Sequence, residues 1–123
     1  MKRWWIGDDR LVTKTQLNGI ISELCSKLST VFPQDKIEAI LFGSYARGDE
    51  SIGSDIDVLI LVEASREAIS DKNWQVGNIV SELLLEYGVL VSPIVENREY
   101  FKANVDALPL YRSISREGVR VVA

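Results

Sequence analysis

Apolar residues near the amino terminus recur at three- and four-residue steps, which is the pattern of an amphipathic helix. The repeating positions within residues 13–32 are Leu17, Ile20, Ile21, Leu24, Leu28 and Val31. Thr13 or Thr15 is suited to cap the start, and Pro33 follows the last turn. The pattern therefore predicts a first helix over residues 13–32.

A second helical pattern covers residues 65–87, with a candidate break at Asp71–Asn73. Its apolar stripe consists of Val76, Ile79, Val80, Leu83, Leu84 and Tyr87. Gly88 follows the stripe and is suited to end the helix. Residues 97–117 predict one or two further short helices, broken around Pro109, before GVRVVA closes the chain.

Three short runs of strand-forming residues separate these helices, at residues 37–42, 55–62 and 89–96. In the middle run, one face carries Ile56, Val58, Ile60 and Val62, and the other carries Asp55, Asp57, Leu59 and Leu61. Both faces are apolar beyond the two aspartates, so we expect a strand inside a sheet that is covered on both sides. Pro93 in the third run favours an edge strand or a bulge.

The order of these elements predicts an α/β fold of the α+β type, a small mixed sheet with helices packed on it. The chain has 123 residues, without repeats or linkers, and we expect a single domain over residues 1–123. Trp4 and Trp5, in a polar amino-terminal stretch, are suited either to pack back onto that domain or to offer an aromatic patch to a partner.

Composition excludes several kinds of chemistry. The chain has no histidine, which rules out a Ser-His-Asp triad and a histidine-bound zinc, so a metal would sit on oxygen ligands. Cys25 is the single cysteine and cannot form an internal disulfide. The net charge of −4 makes nucleic acid an unlikely partner. No apolar run is long enough to cross a bilayer, so we expect a cytoplasmic protein.

The most informative stretch is GSYARGDESIGSDID, residues 43–57. Asp55 and Asp57 are two residues apart at the mouth of a strand, so their carboxylates leave the same face and repel each other. A divalent cation between them, Mg²⁺ or Mn²⁺, is the simplest reason for such a pair. The alternative is that one aspartate caps a loop and the other is solvated.

Gly43 and Ser44 follow the first strand and are suited to wrap a phosphate with backbone amides and a hydroxyl. The alternative is a tight turn between a strand and a helix. Arg47 is placed either to contact a phosphate or to pair with Asp49 or Asp55 and hold the loop. Tyr45 is either an exposed loop residue or a platform for a nucleotide base.

These motifs resemble a known family. GSYARG followed by SDID is similar to the G-S-x-A-R-G … S-D-x-D pattern of the minimal nucleotidyltransferase domain, in the DNA polymerase β-like superfamily. The resemblance implies a polymerase β-type palm with Mg²⁺ or Mn²⁺ at Asp55 and Asp57 and a nucleoside triphosphate, ATP for preference, at Gly43 and Ser44, and Arg47 is the candidate for a further phosphate contact. It also implies transfer of a nucleoside monophosphate to a hydroxyl.

The chain departs from that family at the third carboxylate, which active members carry in the following strand. Ser92 stands at the matching position, and serine is a weak metal ligand and a poor base. Glu96 has the same face parity but lies roughly 13 Å further along an extended strand, unless a bulge at Pro93 shortens the gap.

Two functions therefore remain open at the level of the sequence. The first is a nucleotidyltransferase whose acceptor is a tyrosine of a small, all-α HEPN-type toxin, in an antitoxin setting that the resemblance implies. The second is a catalytically impaired module that binds nucleotide or masks such a partner without transferring anything to it.

Overall fold

A computed structural model describes residues 12–51 and 53–121 of the chain. Trp4 and Trp5 lie outside the described residues. The helices are α1 (Lys14–Val31), α2 (Ser44–Arg47), α3 (Arg66–Asp71), α4 (Asn73–Tyr87), α5 (Arg98–Asn104) and α6 (Pro109–Glu117). The strands are β1 (Glu38–Phe42), β2 (Ile56–Val62), β3 (Val91–Asn97) and β4 (Val119–Val121).

The four strands form one mixed sheet in the order β3-β2-β1-β4. β1 runs antiparallel to both β2 and β4, whereas β2 and β3 are parallel. The predicted fold class, helices packed on a small mixed sheet, is confirmed. β4 was not predicted, because three residues near the carboxyl terminus are too short to show a periodic pattern.

β2 lies inside the sheet, as predicted, and its two faces belong to two separate clusters of buried side chains. Ile56, Val58, Ile60 and Val62 pack with α1 and α4. Leu59 and Leu61 pack on the opposite face with Phe101, Tyr111 and Ile114 from α5 and α6. The alternation therefore assigns Asp57 to the α5–α6 face of the sheet.

Helix ends follow the predicted signals. Thr13 caps α1 through a reciprocal pair of hydrogen bonds with Gln16, and Gly88 ends α4 with φ at 69°. The predicted break near 71–73 separates α3 from α4 at Lys72. The ammonium group of Lys72 donates a 2.7 Å hydrogen bond to the carbonyl of Val31, in the last turn of α1. The break thus ties two helices together.

β3 is an edge strand, and its pairing with β2 is unbroken from Val91 to Asn97. Pro93 stands opposite Val58 without a bulge, so the edge-strand alternative holds and the bulge alternative is wrong. A regular register fixes which residue of β3 faces each residue of β2. Among the described residues, no helix has the length and apolarity needed to cross a bilayer.

Candidate active site at the start of β2

The carboxylates of Asp55 and Asp57 converge at the end of the sheet where β2 begins. Asp57 pairs with Phe42 of β1 on one side and with Ser92 of β3 on the other. Asp55 immediately precedes β2, and its Oδ2 atom lies 3.4 Å from the Ser92 hydroxyl, which donates to it. Both aspartates therefore lie next to Ser92. The side chain of Ile56, between them in the chain, is fully buried on the opposite face of the sheet.

The surroundings of Asp57 disfavour its charged form. Partial burial raises the pKa of the Asp57 carboxyl above its ordinary value, and the charge of Asp55 raises it further, while Arg47 acts in the opposite direction. The repulsion expected between neighbouring carboxylates is thus present in the structure. A divalent cation between them would relieve that repulsion.

Gly43 brings the backbone of the next loop against Asp57. It sits between β1 and α2 with φ at 75°, a conformation that favours glycine. A Cβ atom at this position would overlap Asp57 Oδ2 and lie 3.2 Å from Asp57 Cγ. The glycine is therefore required both by the backbone turn and by the close approach of the carboxylate.

Ser44 begins α2, a helix of a single turn whose first amide groups have no acceptor within the helix. The hydroxyl and these amides lie directly after the glycine that contacts Asp57. A phosphate near the carboxylates would thus find hydrogen-bond donors at the same end of the sheet. Gly48 ends the turn in the left-handed conformation, as expected of a turn glycine.

Arg47 lies at the end of this turn, and its side chain is exposed. Its Nε atom donates to Asp49 Oδ2 at 3.1 Å, and one terminal nitrogen lies 3.7 Å from Glu117 of α6. Pairing with Asp49 was one of the predicted alternatives, whereas the structure shows no ion pair with Asp55 among the described residues. The guanidinium therefore does not fill the space between the two aspartates.

Comparison with known proteins decides the family. A family model described as a nucleotidyltransferase domain matches residues 17–120, which include Gly43, Ser44, Asp55, Asp57 and Ser92. The chain belongs to this nucleotidyltransferase family. The resemblance inferred from GSYARG and SDID is confirmed at this level.

Three proteins of Methanocaldococcus jannaschii are similar to this nucleotidyltransferase domain. Their names are Putative protein adenylyltransferase MJ1305, MJ0604 and MJ0141. The first is 37% identical over 93 residues, which cover 75% of this chain but only 63% of the relative, less than two thirds of its length. The second is 35% identical over 98 residues, covering 80% and 90%. The third is 37% identical over 92 residues, covering 75% and 91%.

Ser92 of the nucleotidyltransferase domain lies beside both aspartates. It is the register partner of Asp57 on β3, and its hydroxyl points toward Asp55. A carboxylate at this position would face both aspartates. The register between β2 and β3 is continuous at this point, so residue 92 belongs to the candidate site by its position.

Glu96 is not brought to the aspartates. It pairs with Leu61, four residues further along both strands than the Ser92–Asp57 pair. It is 4% exposed, and it accepts hydrogen bonds from the hydroxyl of Tyr111, from Arg66 at 3.1 Å and from the backbone of Asn97 at 2.8 Å. Its oxygens are thus engaged in holding α3 and α6 to β3, and the structure gives no support for Glu96 as a substitute third ligand.

Two further features escaped the sequence analysis. Glu117 reaches Arg47 from α6, seventy residues away, and no local pattern announces that contact. Tyr45 is half-buried and packs against the α1–α4 cluster, and burial is the main cause that raises the pKa of its hydroxyl. It is therefore not a fully exposed loop residue, and it lines the same groove as Asp55.

The donor set of the nucleotidyltransferase domain suits a hard cation. Two carboxylates and a hydroxyl provide oxygen ligands only, and no group of three His, Cys, Asp or Glu side chains within metal-binding distance occurs among residues 12–51 and 53–121. Mg²⁺ is commonly bound through one or two carboxylates together with substrate phosphates. The pair therefore fits a cation that arrives with a nucleotide better than a closed structural metal site.

Proposed function

We propose that this domain is a nucleotidyltransferase that moves AMP from ATP to a hydroxyl of a protein acceptor, with Asp55 and Asp57 holding Mg²⁺ or Mn²⁺. The observation that carries the proposal is the convergence of the two carboxylates beside Gly43, with the electrostatic strain at Asp57 described above. Family membership and the names of the three relatives support protein adenylylation.

The residues of this chain have distinct parts in the reaction. Gly43 and Ser44 bind the phosphates through the amides and hydroxyl that open α2, and Arg47 exchanges its exposed carboxylate partners for a phosphate oxygen. A bound divalent cation would neutralise phosphate charge and orient the triphosphate. The acceptor oxygen forms a bond to the α-phosphorus, pyrophosphate leaves with the electrons of the broken bond, and the hydroxyl proton passes to solvent.

Ser92 restricts the acceptor. Because a serine does not remove a proton at neutral pH, the acceptor must ionise with little help. A tyrosine phenol, with a pKa of about 10, ionises far more readily than an aliphatic hydroxyl. We therefore propose a tyrosine as the acceptor, and a small all-α HEPN-type protein as the molecule that presents it.

Transfer is tested by incubating the purified chain with ATP labelled at the α-phosphate, Mg²⁺ and a HEPN-type protein. We expect label on a tyrosine of the second protein, release of pyrophosphate, and loss of both with Asp57→Asn. Asp71→Asn, on exposed α3, is the matched control and should transfer normally. Equal labelling by the two variants would exclude the proposed site.

A second candidate is a module that binds nucleotide and masks its partner without catalysis. The position of Ser92 opposite Asp57 favours it, since the group expected to activate the acceptor is missing from the site. This candidate would be supported over the enzyme by a stable complex with the HEPN-type protein in which no label is transferred. Asp57→Asn should then neutralise the toxicity of the HEPN-type protein as well as the wild type does.

A further inference from the structure

A groove opens at the same end of the molecule as the aspartate pair. Its walls are the amino-terminal half of α1, the residues just before β2, and the carboxyl-terminal end of α4 with the turn that follows it. It encloses about 920 Å³, and Asp55 is one of its lining residues. The groove therefore borders the candidate active site at Asp55, whereas Asp57 and Ser92 do not line it.

Three large apolar side chains of the groove are unusually exposed. Leu84 is 43% exposed, Tyr87 40% and Leu90 41%. They lie close together along the end of α4 and the following turn, so they form a patch rather than scattered surface positions. Contiguous exposed apolar residues beside an active site are typical of a docking surface.

The charge around the groove favours a basic occupant. Among the described residues that line it there is no lysine or arginine, and Asp55 is the one charged side chain. Tyr87 donates to Glu23, which lies beside Glu82 and Glu86, and Lys27 is the cation paired with this cluster. Three carboxylates against one ammonium group disfavour a triphosphate here and attract lysine or arginine.

We propose that this groove docks the protein acceptor, through a segment that combines apolar side chains with lysine or arginine, and so delivers its hydroxyl to the Asp55–Asp57 pair. The chemistry at the end of the groove rests on the proposed function. The docking itself rests on the apolar patch, the acidic cluster and the continuity of the groove with Asp55.

The probe is a synthetic amphipathic peptide of leucine and lysine with one central tyrosine. The control peptide has glutamate in place of every lysine. Each is titrated into the ¹⁵N-labelled full-length chain. We expect the basic peptide to shift the amide resonances of residues 84–90 and 53–55, and the acidic peptide to leave them unchanged. With ATP and Mg²⁺ present, the tyrosine of the basic peptide should acquire AMP.

Leu84→Glu and Leu85→Glu make a matched pair of variants. Leu85 is 87% exposed on the neighbouring position of α4 but does not line the groove. Leu84→Glu should weaken the basic peptide about tenfold, as expected for a central interface residue, while Leu85→Glu leaves its affinity unchanged. Neither substitution should change the increase in melting temperature caused by ATP with Mn²⁺.

Equal effects of the two substitutions, or shifts confined to other surfaces, would overturn the inference. So would nuclear Overhauser contacts between residues 1–11 and the methyl groups of Leu84 and Leu90 in the free chain, which would make the chain's own amino-terminal segment the occupant. If the peptide binds in the groove but ATP with Mn²⁺ does not raise the melting temperature, only the proposed function is contradicted. If ATP with Mn²⁺ raises the melting temperature but the basic peptide does not bind in the groove, only the docking proposal is contradicted.

Discussion

Gly43 shows at the scale of one residue how the loop and the aspartate pair depend on each other. The glycine provides a backbone conformation with φ at 75° and leaves room for the Asp57 carboxylate at the same time. Gly48 has a similar φ, 80°, but an added Cβ there would meet nothing within 4 Å. The ψ angles differ, at −154° for Gly43 and 16° for Gly48, so Gly43 combines a backbone conformation outside the left-handed helical region with a close approach to Asp57.

Gly48→Ala should lower the free energy of unfolding by about 1–2 kcal/mol, the cost of a left-handed alanine. Gly43→Ala should cost roughly 1–3 kcal/mol more, because a side chain there would overpack against Asp57 and because its backbone conformation lies outside the left-handed region. Urea unfolding monitored by tryptophan fluorescence measures both. Equal losses would mean that Asp57 moves aside freely and that the contact with Gly43 does not constrain it.

Asp57 also predicts a pH dependence. Its pKa is raised above the ordinary 3.8, mainly by burial and then by Asp55, so folding favours the protonated carboxyl. The stability that the protonated form contributes is complete below about pH 3.8 and is lost as the pH rises through the pKa of the folded state. At neutral pH the charged Asp57 therefore costs stability.

Asp57→Asn removes that cost, because asparagine is uncharged at every pH. Without metal, the variant should be more stable than the wild type near neutral pH, and the difference should vanish in acid as Asp57 takes up its proton. Urea unfolding of both proteins across that range measures the difference. A difference in unfolding free energy that is the same at every pH would contradict the electrostatic cost assigned to the charged Asp57.

At the scale of elements, the register between β2 and β3 decides which side chains meet at the site. The continuous pairing places Ser92 beside Asp57 and moves Glu96 to Leu61, where it holds Arg66 of α3 and Tyr111 of α6. Burial, the hydrogen bond to Glu96 and the charge of Glu96 raise the pKa of Tyr111 to about 12. The tyrosine therefore stays protonated and keeps donating to Glu96.

Removing this donor should destabilise the fold without touching the site. Tyr111→Phe should lower the free energy of unfolding by about 1–3 kcal/mol, because it leaves a buried carboxylate oxygen short of one partner. Tyr100→Phe, which keeps the ring under the guanidinium of Arg66, is the control.

Glu96→Gln should leave the increase in melting temperature caused by Mn²⁺ and ATP intact. Loss of that increase would indicate that Glu96 is a metal ligand.

At the scale of the whole molecule, the sequence predicted the elements well wherever periodicity was long. The stripe of α1 and the alternation in β2 gave the correct faces, since burial on a regular helix or strand repeats at a fixed spacing. The stripe of α4 was only partly correct, because Val76, Ile79 and Leu83 are buried whereas Leu84 and Tyr87 are exposed. β4 and the contact between Glu117 and Arg47 were missed, because both depend on residues distant in the chain. Glu96 and Ser92 could be told apart only once the register excluded a bulge at Pro93.

The position of Ser92 allows a third carboxylate to be placed beside the two aspartates. Ser92→Asp should lower the melting temperature without metal, because a third carboxylate would join two that already repel, and Mn²⁺ should recover that loss. In the proposed transfer reaction, a base at this position should raise the rate on the order of 10²-fold. Ser92→Asn, similar in size but uncharged, should do neither. If Mn²⁺ does not change the melting temperature of the Ser92→Asp variant, residue 92 does not contact the cation.

The most direct test of the whole account is a Mn²⁺ titration followed by electron paramagnetic resonance, with a non-hydrolysable ATP analogue present. We expect saturable binding of Mn²⁺ to the wild type and to Asp71→Asn, and binding lost in both Asp55→Asn and Asp57→Asn. Undiminished binding in those two variants, or none in the wild type, would contradict the claim that these carboxylates share a nucleotide-bound cation.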